Sequence, residues 1–383
     1  MSAKKFIPNW YNAVGDGVNP FKFGKQYEPD CFIDREEEYS QLVRAVSSGN
    51  NVILVAPRRF GKTWLIQKFA LESGFQCIYL DLLSMLSLKD FAVKIISKSF
   101  QLLKSNNPVE FVKEHLKNLV KYINFSIGSD GVVFTFSRDV EEEVLLSECY
   151  RLLERLGEIF KTLVVCLDEF QAYSLVSEKL AGSLRSFFQT APRVVFVFSG
   201  SMRHMIEELF FQSKGLMYHS GIKLDLCSFL PKDAVIDHVC EKFRSSGKTM
   251  PRQLAERFYA ITKGHPYYVQ MLAYEVWNLC GETVAEQDLQ NALNQLIFRE
   301  RHSYDMVLDM LGQKHLRKVL VMIATNRDIF SLETLQEFEI PNPSIVNKTI
   351  KKLVELGFVE KLSRGNYEII DPIFEEYVLK RFS

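Results

Sequence analysis

Between Asn51 and Ala70 the chain reads NVILVAPRRFGKTWLIQKFA, and no other stretch constrains its folding as much. Val52–Val55 is an apolar run rich in β-branched residues, the kind buried on both faces of a parallel sheet. A turn of Ala56, Pro57, Arg58, Arg59 and Phe60 leads into Gly61-Lys62-Thr63, after which Trp64, Leu65, Phe69 and Leu71 fall at helical spacing. Gly-Lys-Thr alone could be an ordinary helix start. Strand, loop, Gly-Lys-Thr and helix in that order form the setting of a phosphate-binding P-loop. In such a loop the unpaired N–H groups of the turn and of the helix N-terminus point at the anion. The nucleotide-binding stretch is therefore expected to run from Ala56 to Trp64. Lys62 would reach the terminal phosphates, and the Thr63 hydroxyl would bind Mg²⁺. Gly61 lets the backbone approach closely. The first glycine of G-x-x-x-x-G-K-[ST] is Ala56 here, so strain is expected if that position needs an unusual φ.

A second apolar run, TLVVCLDEFQ, ends in two acids. In P-loop proteins a strand beside the P-loop strand presents an Asp to the Mg²⁺ shell, and Asp168 fits that role. Glu169 is then placed to polarise the attacking water as general base. The plainer reading is a polar exit from a buried strand. A third run, RVVFVFSGS, ends in hydroxyls; Ser199 and Ser201 are candidates to sense the γ-phosphate or orient the water, or they simply form a Ser-Gly turn. Arg193 and Arg203 flank this run and are candidates for an arginine finger, in cis or in trans.

The remaining chain reads mainly as helix. Asp34 is expected to cap a helix Arg35–Val46 whose first turn is acidic. Gln76–Leu82 reads as a strand, with Asp81 at its end either near the metal or merely terminal. Helices follow at Leu86–Leu103, Val140–Phe160 and Leu180–Thr190. The stretch 104–139 reads as an insertion, with a turn at Gly128-Ser129-Asp130-Gly131 and a strand or hairpin arm at Val132–Phe136. Ile222–Leu226 is a last short strand, and Pro231 starts a helix at its first position. Gly264-His265-Pro266 joins two helices. Cys227, His238 and Cys240 are too loosely arranged for metal ligation and read as core residues. From Leu316 the order is helix, helix, helix, then two strands around Arg364-Gly365-Asn366, a winged-helix layout. Lys348, Lys351 and Lys352 lie on the third of these helices, where a DNA reader would place them. Yet Glu355, Glu360, Glu368, Glu375 and Glu376 are close by, so the helix fits either DNA phosphates or a protein surface.

Composition narrows the class. Lys+Arg and Asp+Glu both number 47, so whole-molecule charge gives no support for a nucleic-acid or membrane partner. Seven cysteines without a C-x-x-C pair fit reduced thiols in a cytoplasmic protein. The N-terminal residues carry no apolar signal-peptide core, and no run is long enough to span a membrane.

Taken together, NPFKFG, FIDREEE, APRRFGKT, LVVCLDEFQ, VFVFSGS, the Gly-His-Pro junction and YEIIDPIFEEYV resemble the archaeal-type ATPase family, a branch of P-loop ATPases close to the AAA+ and STAND classes. The resemblance implies ATP and Mg²⁺ as ligands, with Lys62 and Thr63 on triphosphate and metal. It also implies Asp168 in the metal shell, Glu169, Lys62 and Ser201 as catalytic groups, and a match at Gln171. By the same resemblance Phe32, Ile33 and Arg35 lie over the base, and Pro266 belongs to a helical lid beside the nucleotide. Two departures accompany it. Asp34 stands where such proteins usually carry glycine, and GLMYHSGIKL lacks an arginine often found there, which favours slow hydrolysis and a nucleotide-dependent switch.

The expected fold is α/β: a P-loop NTPase parallel sheet with flanking helices, followed by an all-α lid and a winged-helix domain. Residues 1–20 form an irregular lead-in, 21–230 the ATPase domain with its insertion at about 104–139, 231–312 the lid, and 313–383 the winged helix. The expected function is ATP hydrolysis; the alternative is a winged-helix DNA-binding regulator with a structural or weakly hydrolytic nucleotide site. A small-molecule kinase would leave Asp168-Glu169 and the winged helix unexplained. Partners beyond ATP would be DNA or a protein, with no membrane, and an oligomer is compatible with the chain.

Overall fold

The apolar runs pair into a single five-stranded sheet, all parallel, in the order β2-β5-β6-β1-β7. The elements come from a computed structural model, which describes residues 18–24, 27–105, 107–128, 131–137, 139–226, 229–312, 315–363 and 365–382. Most of the lead-in, Ser129 and Asp130 of the insertion turn, Cys227 and Arg364 lie outside the described residues. The chain divides into two compact units, one of residues 35–228 and one of residues 1–34 with 229–383.

The first unit runs α1 (Glu36–Ser47), β1 (Val52–Val55), α2 (Lys62–Glu72), β2 (Gln76–Asp81), α3 (Leu88–Leu102), α4 (Pro108–His115), β3 (Ile123–Gly128), β4 (Gly131–Phe136), α5 (Glu142–Phe160), β5 (Leu163–Asp168), α6 (Tyr173–Val176), α7 (Leu180–Thr190), β6 (Val194–Gly200), α8 (Arg203–Phe211) and β7 (Ile222–Asp225). Every residue of β1, β5 and β6 is buried, as strands covered on both faces require. The outer strands β2 and β7 are more exposed. The sheet corrects one expectation. β6 lies between β1 and β5, so the strand of Asp168 is not the neighbour of the P-loop strand. The insertion is part of this core: Phe111, Leu116, Leu119 and Phe134 are buried with α3 and α5, and β3 and β4 pair as an antiparallel hairpin.

Local corrections have plain causes. Asp34 and Arg35 both adopt left-handed backbone, at φ 53° and 71°, and α1 starts at Glu36 without a side-chain cap. Asp tolerates that conformation better than most residues, which accounts for Asp34 at a position suited to glycine. Ala56 has no positive φ, so the substitution of the first loop glycine carries no backbone strain. Leu71 points outward on α2, whose buried face is Leu65, Ile66 and Phe69. Pro231 is the N-cap residue, one position before the helix it was expected to open.

The second unit contains α9 (Lys232–Ser245), α10 (Arg252–Thr262), α11 (Pro266–Leu279), α12 (Glu286–Met310), α13 (Leu316–Ala324), α14 (Leu332–Glu337), α15 (Pro343–Glu355), β8 (Val359–Ser363), β9 (Asn366–Ile369) and α16 (Pro372–Phe382). At the Gly-His-Pro junction, Lys263 and Gly264 are left-handed and Pro266 opens α11 at its first position. The helices α13, α14 and α15 and the β8–β9 hairpin have the winged-helix order, and α16 then packs on α12 and α13. Residues 21–34, assigned from sequence to the ATPase domain, group with this unit. Phe21 meets Phe243 at a ring distance of 5.2 Å, Phe23 stands edge-on to Tyr267 and Tyr274, and Gln270 Nε2 donates to the Cys31 carbonyl at 3.0 Å. Lys263 ion-pairs with Glu368 of β9 at 2.7 Å and Glu375 of α16 at 2.5 Å, joining the junction to the hairpin and the last helix. Among the described residues no helix is long and apolar enough to cross a membrane.

Candidate functional site

In a parallel sheet all strand C-termini lie along one edge, so the tips of β1, β6 and β5 stand side by side in that order. This is how the sequence gathers the loop Ala56–Gly61, Ser199 to Ser201 and Asp168-Glu169, although Arg58 and Ser201 are 143 residues apart. Gly61 caps the N-terminus of α2 at φ 89°, a conformation that other residues reach only with strain. A side chain at Gly61 would meet no protein atom within 4 Å, so within the protein it is the φ that calls for glycine. Arg59 is also left-handed, at φ 67°. Lys62 is 4% exposed, and its ammonium donates to the carbonyls of Ala56 at 2.8 Å and Pro57 at 2.7 Å. The loop is thus wrapped around the lysine side chain.

Asp168, 2% exposed, is held by four donors. Thr63 Oγ1 and Tyr79 Oη donate to Oδ2 at 2.7 and 2.9 Å; Ser199 Oγ and the Glu169 N–H donate to Oδ1, the latter at 3.0 Å. Glu169 has φ 53°, which turns its side chain away from the strand line; such strain is commonest at functional sites. Its Oε2 accepts from Ser201 Oγ at 2.7 Å, from the Ser201 N–H at 3.3 Å and from Gln171 Nε2. Ser199 near the end of β6 and Ser201 just past it therefore divide their work: Ser199 ties down Asp168, and Ser201 ties down Glu169. Arg58 Nε reaches the same Ser201 Oγ at 3.3 Å. Gly200, between the serines, leaves no room for a side chain: a Cβ there would come within 2.4 Å of Gln171 Oε1 and 2.5 Å of Ile206 Cγ1.

Electrostatics add to this picture. Asp81 caps the turn after β2, accepting from the Leu83 N–H at 3.0 Å, and burial pushes its carboxyl up, with a further push from the charges of Asp168 and Glu169. Burial and Asp168 likewise push the Tyr79 phenol well up, which keeps it a hydrogen-bond donor. Carboxylates and a hydroxyl converging at one edge are hard oxygen donors of the type a divalent cation of Mg²⁺ character takes. The residues present fit that ion, and Thr63 and Asp168 are the ones that could hold it.

Trp64 is half-buried in the first turn of α2. Phe60 is buried at the end of the loop. Arg35 is buried and ion-paired to Glu38 at 2.7 Å. Phe32, Ile33 and Pro266 belong to the second unit: Phe32 stands edge-on to Tyr27, Ile33 is in that unit's core, and Pro266 opens α11. Arg193 precedes β6 and so lies at the opposite edge of the sheet, which removes it as an arginine finger in cis. Arg203 at the start of α8 pairs with Glu207 at 3.1 Å and Asp225 at 3.6 Å. The sequence reading missed Tyr79. Tyrosine is an ordinary strand residue, and only the pairing of β2 with β5 brings it to Asp168.

No family model and no curated protein matches this sequence. Solved structures do. The Walker-type ATPase of Pyrococcus abyssi is similar at a TM-score of 0.66 and 16% identity, covering 94% of this chain and 99% of its own. The ORC2 protein of Aeropyrum pernix, solved as ADPNP–ADP complexes, is similar at 0.54 and 15%, covering 96% and 97%. The likeness is one of fold: this chain shares the architecture of these two proteins over nearly its whole length.

Proposed function

We propose that the protein binds ATP at residues 56–64 and hydrolyses it slowly, with nucleotide state acting as a switch. One observation carries the reading: Thr63 of the P-loop helix and Asp168 of β5 meet at 2.7 Å, while Glu169 beside them is held by Ser201 and Gln171. A chance P-loop motif would have no reason to share a hydrogen bond with the acid that ends another strand. In this reading the loop amides and Lys62 bind the phosphates. Thr63 and Asp168 would hold Mg²⁺, which would offset the charge of the phosphate oxygens. Tyr79 and Ser199 fix the Asp168 carboxylate. Glu169 accepts the proton of the attacking water, and Ser201 with Gln171 sets the direction of its carboxylate.

A second reading gives the output to DNA. Lys348, Lys351 and Lys352 are all exposed on α15, opposite the buried Val346, Ile350 and Leu353. Lys352 is paired with Glu355 at 3.3 Å, which weakens the case. The test for both is phosphate release from ATP, with and without duplex DNA, at two salt concentrations. Mg²⁺-dependent release is expected, and release unchanged by DNA at the lower salt removes the DNA reading, since phosphate contacts strengthen as salt falls. No release under any condition contradicts the hydrolytic reading.

A further inference from the structure

We infer that Arg58 supplies, from within the P-loop, a second cation beside Lys62 that meets the terminal phosphate of ATP and couples it to Glu169. The inference rests on the nucleotide-binding reading of that loop and names the arginine which that reading leaves unassigned. Hydrolysis builds negative charge on the transferred phosphoryl group, and an arginine in cis or in trans is a usual way to balance it. Arg193 is at the wrong edge of the sheet, and Arg203 is committed to Glu207 and Asp225. Arg58 sends a hydrogen bond into the cluster: its Nε donates to Ser201 Oγ at 3.3 Å, and that hydroxyl donates to Glu169 Oε2 at 2.7 Å.

Its placement is fixed from both sides. The carbonyls of Ala56 and Pro57, just before it, hold the Lys62 ammonium, and Arg59, just after it, is locked in left-handed backbone. A guanidinium carries five N–H donors in a planar fork. Spending Nε on Ser201 leaves the two terminal nitrogens, on an exposed side chain, to grip phosphate oxygens in a paired geometry. Phosphate contact and Glu169 orientation then depend on one side chain. ADP lacks the γ-phosphate that the fork would meet, so Arg58 discriminates between the two nucleotides.

The experiment measures the dissociation constants of Mg-ATP and Mg-ADP calorimetrically, and phosphate release, for the unmodified protein, Arg58→Ala and Arg58→Lys. A charge-assisted hydrogen bond lost to Ala is expected to weaken ATP roughly tenfold or more while ADP changes by less than about twofold. Turnover of the Ala variant is expected to fall by about 10² or more, and millimolar guanidinium ion to restore part of it. The Lys variant keeps the charge but not the fork, and should lie between. An Ala variant with the original ATP-to-ADP ratio overturns the inference, as does equal loss of both nucleotides or a loss matched by a lower melting temperature without nucleotide. If the unmodified protein binds neither nucleotide, the P-loop reading itself falls and takes this inference with it; if it binds both and only the Arg58 effects are missing, the P-loop reading stands.

Discussion

Replacing Glu169 by Gln is expected to slow ATP turnover by about 10²–10⁴, the usual contribution of a general base, while nucleotide affinity stays close to the original. The change is isosteric. The amide oxygen can still accept from Ser201, and the left-handed backbone at Glu169 is not altered. What is lost is the ability to take a proton from water. Asp168, with its four donors, and the Thr63 contact remain, so the metal-holding half of the site is untouched. Phosphate release under single-turnover conditions, beside an equilibrium titration of Mg-ATP, reads the two effects separately. A variant hydrolysing at the original rate would remove Glu169 as the base.

Phe198→Ala is expected to destabilise the first unit by about 3–5 kcal/mol, the range for emptying a large aromatic from a close-packed core. Phe198 is fully buried on β6, with Phe170 at a ring distance of 4.7 Å, Phe210 at 5.0 Å and Phe196 at 5.7 Å. The cost falls on the site as well as on the core. Phe198 immediately precedes Ser199, and Phe170 immediately follows Glu169, so this aromatic cluster sets the position of both acid-holding strand tips. Chemical denaturation should show a lower midpoint at an unchanged slope, and turnover should fall even where the variant remains folded. An unchanged midpoint would mean that the cluster does not carry the core.

The strand runs and the P-loop were legible because a two-sided buried strand leaves an unbroken apolar signature, and because Gly61-Lys62-Thr63 sits between a strand and a helix. The sequence put Thr63 and Asp168 at one metal, but the strand order was not legible: β6 enters between β1 and β5, and nothing local in VVFVFSG tells where in the sheet it will pair. Tyr79 was missed for the same reason. Asp34 read as a helix cap because its residue type suits one, whereas two consecutive left-handed residues place it outside the helix. The segment around Phe21 and Phe23 reads as apolar without revealing which core it fills. Their aromatic partners, Phe243, Tyr267 and Tyr274, lie more than two hundred residues away in sequence.

Thermal unfolding in the presence of Mg-ATP tests the central claim most directly. A ligand bound only to the folded state, at about a hundred times its Kd, adds roughly 2.7 kcal/mol of stability. The unmodified protein is therefore expected to melt several degrees higher with saturating Mg-ATP, and Lys62→Ala, which removes the ammonium held by Ala56 and Pro57, to lose most of that rise. A melting temperature that Mg-ATP leaves unchanged in the unmodified protein would contradict the account.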